Sequence, residues 1–543
     1  MPHVTMHRAL AVPELLFLIV NEANSDDDEG PPRVSVLSTL LALALTSRAF
    51  LDPALNLIWS AQSSLGHLVQ CLPTDLWTVS GDEHLILKEP TRPTTHQDWE
   101  RFDFYARRVR ELISDSDEHH FAGRPSRVIS ESLFFWLHSS RPGHLLLPNL
   151  STLSWGSSIP SGYYGSVHLL CGQQLSTFHI GGSTPRSTSD VIAQALLHLP
   201  QRSPLVRELR IILVENGTAI QPVQPILGDV FASLKRLQIL SLQSELPMPF
   251  SAFAMLASLP HLTQLKLVSE DGAIMTSVPL KTGRADLTFR ALEEMTLTSS
   301  PMDSSVDVLS SCQLPRLKYI YINSEIAADP DTIVRVLQLL HERCSHTVLE
   351  GIDVHNVDYI SAGEQVREAI RFTAATMRRL CDFHRIRLFD LHTDLLIVLD
   401  DEVIKQLAMS WPRLEFLHFL SANDHPWHTP TATTLKGLVH LARYCPSLRL
   451  LTIDLNASDS DVSLRTKPGG GIRNQTLRRV TFGHSPALGN TAKIAAFLFA
   501  IFPNIISIND DDEVPIEESW DQVFNTYEVL QIVTRWKKRT SAQ

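Results

Sequence analysis

The side chains best able to do chemistry fall in a few short stretches, and the histidines near residue 341 are the first of these. His341 and Glu342 begin as a zinc-protease helix does, but in that motif the second histidine comes four residues after the first, so that both rings share one face. Ser345 occupies that position, and the next histidine is His346. The spacing therefore predicts the solvent-facing end of a helix rather than a metal site.

Two further stretches imitate a catalytic turn and a phosphate-binding loop. Gly483-His-Ser485-Pro-Ala487 falls short of a nucleophile elbow, because Ala487 stands where the final glycine belongs and a proline lies at the turn. Gly469-Gly-Gly471 lacks the Lys-Ser/Thr pair that completes a phosphate-binding loop. We interpret the first stretch as a loop that leaves a strand, and the second as an ordinary loop.

Neither a calcium-binding loop nor a cysteine-based site is indicated by the sequence. The stretch that starts at Asp459 has Leu464 in the sixth place, where an EF-hand has glycine, and Gly470 in the twelfth, where it has glutamate. No two cysteines have Cys-x-x-Cys spacing, so neither a zinc site nor a redox dithiol is indicated. The 23 histidines are dispersed along the chain. We therefore expect a protein that is not an enzyme and that needs no metal or cofactor.

Charge and hydropathy argue against two classes of partner. The 543 residues carry a net charge of −12 and give a pI of about 6.0, whereas a nucleic-acid-binding protein needs a basic surface. The apolar segment Leu10–Val20 contains Pro13 and Glu14 and precedes no small-residue cleavage site, so it fails as a signal peptide. No apolar run reaches the roughly 18 residues of a membrane span. We expect a cytoplasmic or nuclear protein that binds neither nucleic acid nor membrane.

One motif recurs along most of the chain and must position any site that the protein has. It consists of an apolar residue, two variable residues, an apolar residue, one variable residue and a third apolar residue, as in Leu262-Thr-Gln-Leu265-Lys-Leu267. Clear copies also begin at Leu317, Leu414 and Leu448. Weaker copies begin at Leu150, Leu175, Val206, Leu237, Leu292, Leu349, Leu388, Leu477 and Ile505.

The spacing and composition of these copies predict a leucine-rich-repeat solenoid. Successive copies lie between 25 residues apart, as from Leu150 to Leu175, and 39 residues apart, as from Leu349 to Leu388. Leu opens eleven of the thirteen copies, and Pro stands two residues before seven of them. Pro suits the start of a strand because it cannot donate to a ladder. We expect an α/β solenoid with a parallel sheet on its concave face and helices outside.

The periodicity of the apolar residues divides the chain into four parts. These are a helical domain at 1–66, a helical linker or cap at 67–143, the solenoid at 144–510, and a capping helix with a tail at 511–543. Within the linker, apolar residues at helical spacing predict helices over 97–114 and 128–138. The terminal helix is predicted from Trp520 to Trp536.

The first 60 residues carry three ordered segments. Val12-Pro13-Glu14-Leu15 opens the first, the apolar run from Leu40 ends in Arg48-Ala-Phe50, and Leu57-Ile-Trp59 closes the third. This order resembles the F-box, a family with a Leu-Pro-x-Glu start, a hydrophobic helix ending in a basic–aromatic step, and a Leu-Trp close. The sequence departs from that pattern at Val12, at Glu14, which directly follows the proline, and in an acidic insertion at 25–32.

Later segments resemble the C-terminal parts of fungal F-box/leucine-rich-repeat proteins. They are Leu399-Asp-Asp-Glu402 to Met409-Ser-Trp-Pro412, and Phe499-Ala-Ile-Phe-Pro503. The resemblance implies a substrate receptor of a Skp–cullin–F-box ubiquitin ligase, in which the N-terminal helices dock on a Skp adaptor, and through it a cullin, while the solenoid binds a client protein. The partner enzyme then supplies the chemistry by proximity. The alternative is a leucine-rich-repeat scaffold that acts independently of ubiquitination.

The resemblance and the strand alternation together give two sets of candidate residues. On the adaptor side these are Pro13, Glu14, Leu15, Leu16, Ile19, Leu41, Leu45, Phe50 and Trp59, and the sequence does not decide which of them pack inside the bundle. Because strand side chains alternate, the variable residue before the last apolar position should face away from the core. The expected row is Ser154, His179, Arg210, Ser241, Lys266, Thr296, Tyr321, Asp353, His418, Thr452 and Thr481.

The larger members of this row are the candidate client-binding residues. They are Arg210, Lys266, Tyr321, Asp353 and His418. Tyr and Arg are frequent anchors of interfaces, and the two cations would favour an acidic client segment. The alternatives are that the row is merely solvated, or that the client binds the loops around 425–432 or 456–474.

Overall fold

The chain forms two compact units, Met1–Gln243 and Ser244–Gln543. The protein is described from a computed structural model. The described residues are 13–22, 33–80, 85–88, 92–114, 129–141, 143–156, 166–184, 187–215, 223–269, 272–276, 287–326, 328–356, 369–371, 374–393, 395–421, 432–458, 462, 466–482, 487–508 and 518–541. Within these residues, no helix is both long enough and apolar enough to cross a bilayer.

The first unit combines helices with a parallel sheet. Its helices are α1 (Pro13–Glu22), α2 (Arg33–Thr46), α3 (Arg48–Ser60), α4 (Gly66–Val69), α5 (His96–Ala106), α6 (Glu131–Ser139), α7 (Ser187–Arg202) and α8 (Val223–Ser233). Its strands are β1 (Ala61–Gln62), β2 (Trp77–Val79), β3 (Leu85–Leu87), β4 (Glu111–Ile113), β5 (Thr152–Trp155), β6 (Thr177–Thr184), β7 (Glu208–Glu215) and β8 (Ile239–Ser244). The sheet order is β1-β4-β5-β6-β7-β8, and β2 pairs separately with β3. Each neighbouring pair from β1 to β7 is parallel.

The second unit repeats the same alternation. Its helices are α9 (Phe250–Ala257), α10 (Asp303–Ser310), α11 (Pro330–Arg343), α12 (Ala374–Cys381), α13 (Asp401–Ser410), α14 (Leu435–Tyr444), α15 (Thr491–Ile501) and α16 (Glu518–Ser541). Its strands are β9 (Gln264–Ser269), β10 (Leu287–Thr288), β11 (Glu294–Ser299), β12 (Cys312–Gln313), β13 (Tyr319–Ser324), β14 (Gly351–Asn356), β15 (Ala369–Arg371), β16 (Leu388–Thr393), β17 (Leu396–Val398), β18 (Phe416–Ser421), β19 (Leu450–Ile453), β20 (Ala457–Ser458), β21 (Arg479–Thr481), β22 (Ala487–Leu488) and β23 (Ser507–Ile508). A 3₁₀ turn spans Pro468–Gly470.

The main sheet of the second unit confirms the predicted α/β class. It runs in the order β9-β11-β13-β14-β16-β18-β19-β21-β23, with all of these pairs parallel. Each helix from α10 to α13 contacts the helix that follows it in the chain. The apolar positions of the repeat motif fill the core, as Leu265 and Leu267 do around the exposed Lys266. Each such leucine stabilises the fold by about 1.5–3 kcal/mol relative to an exposed one.

Acidic caps fix where two of these helices begin. The Asp329 carboxylate accepts a hydrogen bond from the Thr332 backbone N–H at 2.8 Å, which satisfies a free donor in the first turn of α11. Asp400 caps α13 in the same way through the backbone N–H of Val403, also at 2.8 Å. Each cap stabilises its helix by roughly 1 kcal/mol. The caps therefore set the length of the connection between strand and helix.

The segment predicted as a purely helical linker also contributes to the sheet. Helix α5 ends at Ala106, and residues 111–113, which were expected to continue it, form β4. The spacing of Val109 and Ile113 fits a helix, but the backbone of Arg110 pairs elsewhere: its N–H donates to Ser60 O at 2.7 Å. Tertiary pairing thus overrides the helical period, and strands of the sheet occur before residue 144.

The terminal helix is longer than predicted and covers the last repeat. Helix α16 contacts α15, β22 and β23, and its Trp520, Val523 and Tyr527 side chains are buried. The Tyr527 hydroxyl accepts a hydrogen bond from the Ile505 backbone N–H at 2.9 Å and donates one to Phe502 O. The helix therefore supplies to the last repeat both apolar cover and hydrogen-bond partners.

Candidate functional site

The three N-terminal helices pack around a small apolar core. Helix α3 contacts both α1 and α2. The core consists of Leu16, Val20, Leu40, Ala44, Phe50, Ala54 and Ile58. Among the predicted adaptor residues, Leu16 and Phe50 belong to this core. Their role is to hold the bundle together, so we remove them from the candidate contact surface.

Other predicted adaptor residues remain accessible to a partner. Leu15, Ile19, Leu41 and Leu45 are all exposed, and Leu45 retains 86% of its accessible surface. Leu18 on α1 is exposed as well, which the sequence pattern did not single out. Large apolar side chains on the surface mark interaction sites when they occur together on neighbouring elements. We name these five leucine and isoleucine residues the apolar surface of the bundle.

The remaining members of the predicted adaptor set divide into two cases. Trp59 is half-buried and stacks on Tyr105 of α5, with ring centroids 4.4 Å apart and an interplanar angle of 24°. It therefore anchors α3 to the segment that follows the bundle. Pro13 and Glu14 begin α1, but their side chains lie outside the described part of the structure.

The predicted row of outward residues is aligned across neighbouring strands. In the first unit Ser154 pairs with His179, and His179 pairs with Arg210. In the second unit the aligned residues are Lys266, Thr296, Tyr321, Asp353, Asp390, His418, Thr452 and Thr481. Ser154, Thr452 and Thr481 are buried, whereas Ser241, Thr296 and the larger members of the row reach solvent at least in part. The row is correct in register, but three of its small members cannot contact a partner.

Asp390 is the member of the row that the sequence analysis missed. The motif was placed at Leu388, whereas Ile386, Phe389 and Leu391 are the buried residues that occupy its three apolar positions. The motif therefore begins two residues earlier, at Ile386, and its outward residue is Asp390. The alignment of Asp390 with Asp353 on one side and His418 on the other fixes this register.

Lys266 and Arg210 are the exposed cations of the predicted row. Both side chains are exposed, and neither takes part in an ion pair within the portion of the chain that the structure describes. By contrast, the cations at the entrances of the central strands are paired: Lys318 Nζ lies 2.7 Å from Glu293, and Arg387 lies 2.7 Å from Glu415. Exposed pairs of this kind contribute little to stability. A cation that is already paired is, however, less able to bind an acidic partner.

Two tyrosines form an aromatic part of the outward face on β13. Tyr319 and Tyr321 are half-buried, and the Tyr319 hydroxyl donates a hydrogen bond to Glu350 Oε2 at 3.1 Å. The Tyr319 ring lies over Gly351, where a Cβ atom would approach its Cδ1 to 2.5 Å. Gly351 is therefore needed for the close approach of this ring.

Next to the tyrosines, Asp353, His355, Asp390 and His418 form what we call the His–Asp cluster. His355 Nε2 lies 3.3 Å from Asp353 Oδ1 and 3.6 Å from Asp390 Oδ2. His418 Nδ1 lies 3.3 Å from the same Asp390 Oδ2. The imidazole of His392 lies beside the cluster, with ring centroids 5.3 Å from His355 and 5.6 Å from His418.

Burial and the neighbouring charges shift the pKa values of the two carboxyl groups of the cluster in opposite directions. Burial raises the pKa of Asp353 to about 6, and the neighbouring Asp390 carboxylate contributes to the rise. Burial alone would also raise the pKa of Asp390, but the imidazoles of His355 and His418 outweigh it and hold this pKa below its ordinary value. The pKa of the nearby Asp454 carboxyl is raised to about 7, again by burial.

A second group of ionisable residues forms where the sequence placed the end of a helix. His341 Nε2 lies 2.8 Å from Asp382 Oδ2, and these residues with His346 could together surround an ion. His346 Nε2, however, donates a hydrogen bond to His341 O at 2.9 Å. Asp382 belongs to the following repeat, so the spacing within residues 341–346 gave no sign of it.

Comparisons with known proteins do not assign the chain to a family. No protein-family model matches the sequence, and no curated protein matches it either. Among solved structures, a chain of the crystal structure of the Rad7 and Elc1 complex in yeast is similar to this chain with a TM-score of 0.33 and 12% sequence identity. The alignment covers 67% of this chain and 77% of that one.

Proposed function

We propose that the protein is a non-enzymatic substrate-recognition subunit of a Skp–cullin–F-box type ubiquitin ligase. The N-terminal helices dock on the Skp adaptor, and the parallel sheet presents a client protein. The observation that carries the proposal is the bundle of α1, α2 and α3. Its segments resemble the F-box in content and order, and its apolar surface is exposed.

The exposed apolar residues give the proposed adaptor contact a physical basis. Five of them lie on α1 and α2, the helices that resemble the opening of the F-box. Burial of leucine on binding contributes about 25 cal/mol for each Å² removed from water. A few such anchors dominate the affinity of an interface of ordinary size. The bundle keeps its own core beneath them, so contact residues can be changed without removing core residues.

The sheet supplies the proposed client surface. In the second unit, exposed Lys266 attracts an acidic segment and Tyr321 supplies aromatic area. In the first unit, exposed Arg210 offers a cation of its own. Asp353 and His418 are engaged within the His–Asp cluster, which makes them weaker candidates for direct client contact. The proposed client therefore carries negative charge and binds near the lysine and tyrosine.

Co-purification with the Skp adaptor tests the docking half of the proposal. In the full chain, Leu41→Asp with Leu45→Asp should abolish adaptor capture, because two charges cannot be buried in an apolar interface without partners. Leu197→Asp is the control, since Leu197 on α7 has the same exposed fraction as Leu41. Adaptor capture by Leu41→Asp/Leu45→Asp at the wild-type level would contradict the proposal and favour a scaffold that acts without ubiquitination.

Client recovery tests the other half. Proximity labelling by the wild-type protein identifies clients, and Tyr321→Ala and Arg210→Ala should each reduce their recovery without changing adaptor capture. Thr298→Ala, on the neighbouring strand, is the control for a neutral change on the sheet. Full recovery by both variants would move the client surface to the loops.

A further inference from the structure

The His–Asp cluster lies on three adjacent strands of one rigid sheet. Asp353 on β14 aligns with Asp390 on β16, which aligns with His418 on β18. His355 stands two residues after Asp353, so it projects from the same face. One ligand atom from each of Asp353, His355 and Asp390 lies within 4.8 Å of the other two. Regular strands hold such a group more precisely than loops do.

The distances in the cluster also fit those between ligands of a common ion. His355 Nε2 is 3.3 Å from Asp353 Oδ1 and 3.6 Å from Asp390 Oδ2. Hydrogen bonds between N–H and oxygen are typically about 2.7–3.2 Å long. Tetrahedral ligands about 2.0–2.1 Å from a zinc ion are separated from one another by roughly 3.3–3.5 Å. Both measured distances lie close to that range.

Two atoms of the cluster are buried without a hydrogen-bond partner. Asp390 Oδ1 and His418 Nε2 are both shielded from solvent, and neither meets a donor or acceptor among the residues that the structure describes. A buried carboxylate oxygen without a donor is costly, because it has lost its water. A cation that binds Asp390 through Oδ1 removes that cost.

We propose that Asp353, His355 and Asp390 bind one divalent transition-metal ion of the zinc class, and that His418 positions Asp390. The mixture of imidazole nitrogen and carboxylate oxygen suits zinc or cobalt better than magnesium or calcium, which prefer oxygen alone. A cation also relieves the repulsion between two facing carboxylates. His418 Nδ1 lies 3.3 Å from Asp390 Oδ2 and orients this carboxylate. Residues that contact a metal ligand, and not the metal itself, commonly have this role.

Three protein ligands leave a position open at such a site. The His355 side chain retains 40% of its surface, so the open position faces solvent and is accessible to a further ligand. Sites with three protein ligands and an open fourth position accept water or an incoming side chain. The ion would thus add a positive charge to the outward face of the sheet.

Titration of the full chain with Co²⁺ tests the proposal. The protein is first stripped with a chelator and the chelator removed, and visible absorption then reports ligand number and geometry. We expect one Co²⁺ site for each chain that Zn²⁺ displaces. His355→Gln and Asp390→Asn should each abolish its spectrum, and His418→Ala should weaken binding about 10–100-fold, as loss of a positioning partner does.

The group around His341 provides the matched control. His341→Ala with Asp382→Asn removes the other candidate group on the same unit and should leave the cobalt spectrum unchanged. Far-ultraviolet circular dichroism of each variant without metal identifies any that fails to fold, and His355→Gln, at a partly exposed position, is the least disruptive. If the spectrum follows His341 and Asp382 instead, if His355→Gln binds as the wild type does, or if wild-type affinity is weaker than about 1 mM, the proposal is wrong.

Discussion

In the bundle of α1, α2 and α3, large apolar side chains reach into solvent, whereas on the sheet of the second unit ionisable side chains are partly withdrawn from it. Leu45 retains 86% of its surface, but the Asp353 side chain retains only 23%. Each arrangement is unfavourable for an isolated protein, because leucine is stabilised by burial and carboxylate by water. The comparison supports the two proposals above, an apolar partner for the bundle and a cation for the His–Asp cluster.

The largest expected effect separates the core of the bundle from its apolar surface. Leu40→Ala, at a buried position, should lower the free energy of unfolding by about 2–5 kcal/mol through lost burial and a cavity. Leu45→Ala, on the same helix, should change it by less than about 0.5 kcal/mol while reducing adaptor capture. Chemical denaturation measures the first quantity. Equal destabilisation by the two changes would show that Leu45 is not a surface residue.

The next effect concerns pH and the buried carboxyl of Asp454. Because the pKa in the folded protein is raised to about 7, the folded state binds this proton more tightly than the unfolded state does. Its contribution to stability is therefore complete below about pH 4 and is lost as pH rises towards 7. Asp454→Asn should remove this dependence, with a gain on the order of 1–2 kcal/mol at pH 8.

The measurement is denaturation at pH 4.5 and pH 8 with chelator present, so that metal binding does not contribute. Glu325→Gln, at an exposed position, controls for the loss of one negative charge. A stabilisation of Asp454→Asn that is the same at both pH values would mean that the carboxyl does not titrate between them.

A smaller effect is expected where the tyrosine ring crosses Gly351. Alanine in place of a strand glycine normally stabilises a protein by about 0.4–1 kcal/mol through the unfolded state, but here its Cβ meets the Tyr319 ring. Gly351→Ala should therefore destabilise the wild type and stabilise the Tyr319→Ala variant. A double-mutant cycle measures this reversal of sign. Stabilisation in both backgrounds would show that the ring does not constrain residue 351.

The smallest expected effect tests whether the exposed cations of the sheet recruit the client. Lys266→Ala should reduce client recovery by a factor of about 2–5 at low ionic strength, a range typical of exposed charge pairs. The difference between variant and wild type should disappear near 1 M salt, where the screening length falls to about 3 Å. Lys318→Ala is the control, because that lysine is already paired with Glu293. A loss of recovery that is independent of salt would contradict a charge-based contact.

The repeat motif predicted most of the architecture because one rule links its residues to their burial. The alternation around Lys266 and Tyr321 placed them on the outward face, and the pairing of β9, β11 and β13 agrees. The rule failed at Leu388, where several apolar residues in succession allow more than one register. In that stretch the pairing with neighbouring strands, and not the local pattern, determines which residue faces outward.

The parts that sequence did not predict depend on contacts between distant repeats. Asp382 meets His341 from 41 positions away, and Asp390 lies between residues supplied by two other strands. No spacing rule within one repeat can detect such a group. The sequence also does not decide which residues of the N-terminal bundle are exposed. Leu15 and Leu16 are adjacent, and only the packing of the helices shows that Leu16 is buried.

The hydroxyl of Tyr527 has a consequence for self-association. A parallel sheet ends in a row of unpaired backbone groups, which can template the addition of strands from another chain. At the last repeat, Tyr527 takes the Ile505 N–H, and Gln531 Nε2 donates to Ile505 O at 2.9 Å. These two bonds fasten α16 to the backbone just before β23, the last strand of the sheet. Because α16 packs against this last repeat, it hinders the addition of a strand from another chain. The helix therefore disfavours polymerisation of the protein through this edge.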